Sequence, residues 1–215
     1  MNFRLSRRFI PSLVAAALVG LPAAAVVAPA MAQSQPANQT HVRGTIVSTG
    51  ANTVKVKTRE GATVDVALPD GVKIGGIVKA SITDIKPGDF VGIASLPKAD
   101  GGDGALEVLI FPPAMKGTGE GHYDWDLKPN SSMTNATVAN AVKGVDGHTV
   151  TVTYNGNKEK KIAIPEGTPV VTFAPATKAD LVKGATVFIP AAKDAKGMLT
   201  ASRVVVGTHG VVPPM

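Results

Sequence analysis

The sequence predicts an all-β protein made of two tandem small antiparallel β-barrels, and three observations lead there. Val, Ile and Thr recur in short runs, Gly, Pro, Asn and Asp punctuate those runs, and the second half of the chain repeats the pattern of the first. Where a half-buried strand is expected, apolar and polar residues alternate strictly. Val54 and Val56 point one way while Lys55 and Lys57 point the other, and Val64, Val66 and Leu68 continue the rule, as do Val91 and Ile93. Glu60-Gly61 and Asn155-Gly156 supply hairpin turns, the second a pair favoured in type I′ geometry.

The internal repeat sets the domain plan. At an offset of 96, Thr53-Val54-Lys55-Val56 falls on Thr149-Val150-Thr151-Val152, and Leu68-Pro69-Asp70-Gly71 falls on Ile164-Pro165-Glu166-Gly167. Asp84, Gly88, Val91, Ile93, Ala105 and Val108 meet Asp180, Gly184, Val187, Ile189, Ala201 and Val204 in the same register, which extends back without a gap to Val42 and Val138. Matched turn residues weigh more than matched valines, because shared β composition alone aligns valines. The predicted organisation is a signal over residues 1–32, a flexible lead-in over 33–40, a first barrel over 41–112 and a connector over 113–136. A second barrel over 137–212 and a short tail over 213–215 complete it.

Each module carries one element of a different kind. Ser81-Ile-Thr-Asp84 and Thr177-Lys-Ala-Asp180 have the spacing of a capping box, and Gly88 and Gly184 stand where a helix would close. A single helical turn is expected to drop Ile85 or Leu181 onto the end of its barrel. Five or six strands in about 70 residues with a short helix mid-chain describe an OB-like barrel. The pattern of strand-turn-strand, Pro-[Asp/Glu]-Gly, [Ser/Thr]-x-x-Asp-[Ile/Leu]-x-x-Gly and a final Ala-x-x-Val resembles a bacterial exported β-barrel repeat family of unknown function. That resemblance implies the fold and an envelope setting, and it carries no catalytic residues with it.

Arg4, Arg7 and Arg8 precede a long apolar run, broken by Gly20 and Pro22 and ending at Ala30-Met31-Ala32. This predicts a cleaved export signal, a periplasmic or secreted product, and no stable membrane insertion once the signal is gone. Of 22 basic residues three lie in the signal, which leaves 19 against 16 acidic ones, a balance that makes nucleic acid an improbable partner. The chain has no Cys, which excludes disulfides, thiolate metal sites and Cys nucleophiles. The Lys158–Lys161 cluster reads as an exposed hairpin edge, and Gly101 to Gly104 as a loop.

Chemistry concentrates in Gly119-Glu-Gly-His-Tyr-Asp-Trp-Asp-Leu127, which holds the only Trp. In an extended conformation Tyr123, Trp125 and Leu127 share one face, and His122, Asp124 and Asp126 share the other. The apolar face is suited to sealing the gap between barrels. Tyr123 and Trp125 beside two carboxylates are also suited to stacking on a small ligand such as a sugar ring. His122, Asp124 and Asp126 form a candidate metal set, with His148 or His209 as a further ligand. His41 lies at a module edge and carries no role in this reading.

No Gly-x-Ser-x-Gly elbow, His-Glu-x-x-His helix or phosphate-cradling loop occurs. The expectation is therefore a non-enzymatic binding or scaffold protein of the bacterial envelope. It would have no catalytic residues, no required cofactor, and a small ligand or envelope protein as partner. The alternative is a metal-handling accessory protein.

Overall fold

The computed structural model describes residues 39–144 and 147–213. The predicted signal over 1–32 and all but the end of the lead-in lie outside the described residues. The first half forms β1 (Gln39–Thr49), β2 (Thr53–Thr58), β3 (Thr63–Ala67), β4 (Lys73–Lys79), β5 (Phe90–Pro97) and β6 (Asp103–Ile110). The connector contributes β7 (Gly121–Trp125). The second half forms β8 (Ser131–Gly144), β9 (Gly147–Tyr154), β10 (Lys158–Pro165), β11 (Val170–Pro175), β12 (Thr186–Lys193), β13 (Leu199–Ala201) and β14 (Arg203–Gly207). The all-β class is as expected. Two boundaries move: β1 begins inside the predicted lead-in, and β8 begins inside the predicted connector.

Strand pairing departs from the tandem plan. β1, β2, β3, β13 and β12 pair in that order and close back on β1, forming a five-stranded barrel. β5, β6, β10, β9 and β8 pair in a second closed cycle. Each ring takes three strands from one half of the chain and two from the other, so the divisions 41–112 and 137–212 do not follow the pairing. Nor are the rings wholly antiparallel, since β3–β13 and β6–β10 are parallel.

The cause lies in β4 and β11. After β3 the chain passes through the turn closed by the Val72 N–H and the Pro69 carbonyl into β4, which pairs not with β3 but antiparallel with β11, Ile77 facing Phe173, its counterpart 96 residues on. β4 also lies parallel to β14, and β11 parallel to β6. Each crossing strand thus delivers the following strands to the opposite ring. The described residues accordingly form one compact unit.

Three apolar clusters follow from this weave. The first barrel is filled by Val54, Val56, Val66, Leu68, Val187 and Ile189, and the second by Val91, Ile93, Val150, Val152, Ile162 and Ile164. The third lies between them and includes Ile77, Phe90, Leu109, Phe111, Met133 and Phe188. β5 is therefore buried along both faces, with Val91 and Ile93 in a barrel and Phe90 and Ala94 in the central cluster. Simple alternation predicts the first face and misses the second.

The predicted caps form. Ser81 Oγ accepts from the Thr83 N–H while the Asp84 carboxylate accepts from the Ser81 N–H at 2.8 Å, and Thr177 and Asp180 repeat the box around the second turn. Both turns, Ile82–Asp84 and Lys178–Asp180, are 3-10 helices, and Ile85 and Leu181 beyond them are buried as expected. Gly88 and Gly184 do not close these helices, because the C-caps are Ile85 and Leu181. They instead hold φ near +90° and donate their N–H groups at 2.8 Å to the carbonyls of Val138 and Ile46. That pair of bonds corrects the repeat register, since Ile46, not Val42, is the position equivalent to Val138. The two first strands are offset by four residues from the rest, the difference taken up in the hairpin that follows β8.

Candidate functional site

β7 hangs on the outer side of β8, with Tyr123 opposite Met133 and Trp125 opposite Ser131. Its alternation is as predicted: Tyr123, Trp125 and Leu127 turn inward onto the central cluster, and His122 and Asp124 turn outward. Trp125 lies 6.1 Å from Tyr123, 6.4 Å from Phe188 and 4.8 Å from His41, ring centre to ring centre. The Arg43 guanidinium stands 4.9 Å from the Phe188 ring and 5.5 Å from the Trp125 ring. Trp125 thus packs against His41 of β1 and Phe188 of β12, in the first ring, while its own strand pairs with β8 of the second.

The polar residues separate into two groups. Asp126 accepts hydrogen bonds from Arg43 Nη2 at 2.7 Å and from His41 Nδ1 at 3.0 Å, and its backbone carbonyl accepts from Arg59 at 2.9 Å. Partial burial by itself pushes the Asp126 pKa up, but the bonds from His41 and Arg43 and the Arg43 charge outweigh it and hold the carboxyl well below the usual range. His122 belongs elsewhere. Lys160 Nζ donates to His122 Nε2 at 3.3 Å, so Nδ1 carries the proton and donates to Thr134 Oγ1 at 2.8 Å. Lys160 is itself paired with Asp103 at 2.6 Å. Burial, and then the Lys160 charge, lower the His122 pKa from 6.5 against the opposing pull of Asp103 and Asp124.

The three residues of the metal reading are not gathered at one point. Both ring nitrogens of His122 are engaged, Asp126 faces His41 and Arg43, and no group of three or more metal-binding side chains occurs among the described residues. His148 lines a different cleft and His209 sits in a tight turn with φ of 54°.

Two hollows flank β7, and Trp125 walls both. On the inner side a cavity of about 150 Å³ is lined by Phe111, Tyr123, Trp125, Met133, Asn135 and Arg203, among others. Asn135 is fixed there by donating through Nδ2 to Gly119 O and Tyr123 Oη at 3.1 and 3.0 Å. On the outer side a polar cleft of about 500 Å³ is lined by Asp103, His122, Asp124, Asn130, Ser132 and Lys160. The Trp125 indole N–H is buried without an acceptor among the described residues. A buried donor in that state costs about 1–3 kcal/mol, which an incoming acceptor would recover.

Sequence reasoning missed His41, Arg43, Asp103, Thr134 and Lys160. Lys160 stands within the Lys158–Lys161 cluster, yet its side chain is only 21% exposed. Asp103 starts β6 instead of sitting in a loop, and the parallel β6–β10 pairing carries it to Lys160. No local spacing signals the Asp103–Lys160 and Arg43–Asp126 meetings, because their partners lie far apart in the chain, whereas Thr134 meets His122 across the β7–β8 pairing. A scan against protein-family models, a search of curated proteins and a search of solved structures each return no match.

Proposed function

We propose that this chain is an exported, non-enzymatic binding protein of the bacterial envelope whose site is built around β7. Its ligand is a small polyhydroxylated molecule of the sugar class, stacked on Trp125. The buried, unpartnered Trp125 N–H, on a ring that walls both an apolar cavity and a polar cleft, carries this reading. The cleft sets donors on Lys160, Asn130 and Ser132 beside acceptors on Asp103 and Asp124, the mixed complement that vicinal hydroxyls demand. The apolar signal-like leader supports export, and the motifs shared with the exported repeat family agree with it. Each closed five-stranded ring, with a capped helical turn leading into β5 or β12, fits an OB-like barrel, and two such barrels from a repeated segment account for the 96-residue correspondence.

Trp125 is the sole tryptophan, so its fluorescence reports the site directly. Titration with a panel of mono- and disaccharides is expected to give a saturable change, lost in Lys160→Met and weakened in Trp125→Phe. Absence of any saturable response across the panel, with the wild-type chain folded, would overturn the sugar-class reading.

A further inference from the structure

Every described strand has at least two paired neighbours except β7, which pairs with β8 alone. The alternation of the ladder shows which β7 groups are left over. Val138 of β8 donates its N–H to the Asp89 carbonyl and accepts from the Gly88 N–H, both at 2.8 Å, continuing the β5–β8 pairing. Successive residues of a strand turn their backbone groups to opposite edges, so Met133 and Asn135 turn theirs away from β5 and meet Tyr123 and Gly121. His122 and Asp124, on either side of Tyr123, therefore turn their N–H and C=O groups to the open edge of β7. None of these groups has a hydrogen-bond partner among the described residues, and both residues are exposed.

We propose that this edge pairs antiparallel with the same edge of a second copy of the chain, about a two-fold axis at Tyr123. In that register His122 lies opposite the partner's Asp124, and Asp124 opposite the partner's His122. Each of these pairs exchanges both of its backbone hydrogen bonds across the axis.

Charge selects the register. Asp124 makes no hydrogen bond or ion pair among the described residues, while His122 stands beside the Lys160 ammonium, 3.3 Å from Nε2. The axis at Tyr123 sets each Asp124 carboxylate against that positive side. Moving the axis to Asp124 would put two carboxylates face to face, and moving it to His122 would put two imidazoles and two Lys160 side chains together. Charged side chains on an edge strand ordinarily repel a copy; on β7 they favour one alignment. Beyond the strand ends Glu120 would face the partner's Asp126, but each is already engaged within its own chain. Glu120 accepts from the Asn155 N–H, and Asp126 accepts from Arg43 and His41. One short strand makes a small interface, so the dimer is weak. It is built on the β7 backbone and stands whether or not Trp125 stacks a sugar.

Sedimentation of the full chain from micromolar to millimolar concentration, with no ligand present, is the test. A reversible monomer–dimer equilibrium is expected, and Asp124→Lys, at an exposed position, is expected to weaken the dimer about tenfold or more. The chain has no Cys, so introduced cysteines read the register. His122→Cys mixed with Asp124→Cys under a mild oxidant is expected to give a disulfide-linked pair of one variant with the other, and little from either alone. Directly opposed Cβ atoms lie about 4.5–5.5 Å apart, whereas like positions are displaced along the strands. A chain that stays monomeric throughout, its edge left to some other extended segment, would overturn the proposal. So would a dimer indifferent to Asp124→Lys, or cross-linking of the single variants equal to that of the mixture.

Discussion

Asp126 and His122 lie four positions apart, and folding lowers the pKa of both. Asp126 is held ionised by Arg43 and His41, so its folded pKa is below the unfolded value near 3.9. Its contribution is present above that value and is lost as pH falls below about 4. With the side chain 54% exposed, solvent screening limits the effect, and Asp126→Asn is expected to cost about 1 kcal/mol at pH 7. Chemical denaturation at pH 7 and pH 3 checks this: the gap between wild type and variant should close at the lower pH. His122 acts in the same direction, in a higher pH window. Its folded pKa is depressed, so the folded state takes up its proton less readily than the unfolded chain, and stability falls as pH drops below 6.5. Lys160→Met removes the adjacent charge and is expected to raise the His122 pKa, read from the ring proton shifts by NMR. An unchanged or lower value would show that Lys160 does not set it.

At the scale of elements, β7 is a strand with one partner, held by side chains instead of a second ladder. Trp125→Ala is expected to lower stability by about 2–3 kcal/mol, since the ring is half-buried rather than fully enclosed. Trp125→Phe keeps most of the packing and removes the orphaned N–H, so it should cost much less; thermal unfolding of the two variants separates packing from hydrogen bonding. The first barrel depends on a close approach at Gly44. A Cβ there would collide with the Lys57 carbonyl and lie 2.8 Å from the Thr58 Cα, backbone atoms that cannot swing aside. Gly44→Ala is expected to cost about 2–4 kcal/mol by denaturant titration. Gly61→Ala, in open space at a φ of +91°, should cost about 1 kcal/mol. The caps at Ser81 and Thr177 were legible from spacing alone, because a capping box is a contact between residues three apart. The bonds of Gly88 and Gly184 were not, because their acceptors are on other strands.

For the whole molecule, exchange of strands means that neither half can close a barrel alone. A fragment ending in the 116–119 loop contains β1–β3 without β12 and β13, and the remaining fragment contains β8–β10 without β5 and β6. Each is expected to be unfolded or aggregated when expressed separately, and mixing the two is expected to restore native β structure by circular dichroism and a 1:1 complex by light scattering. Independent folding of either fragment would contradict the exchanged pairing. The site around β7 shares this dependence, since Asp103 meets Lys160, and Arg43 meets Asp126, only in the woven arrangement.

The sequence by itself determined the β class, the faces of β2, β3 and β7, the capped turns and the aromatic strand as the place where chemistry collects. Those properties rest on periods of two and on contacts within a few residues, which any chain reading from one end can supply. Only the tertiary structure decided which half lends its strands to which barrel. Strands 96 residues apart carry the same inward pattern, Val91 and Ile93 of β5 in one cluster and Val187 and Ile189 of β12 in the other, so the pattern does not say which ring each joins. The choice is made by β4 and β11 pairing with each other across Ile77 and Phe173, and with it come the partners that take His122 and Asp126 away from any shared ligand.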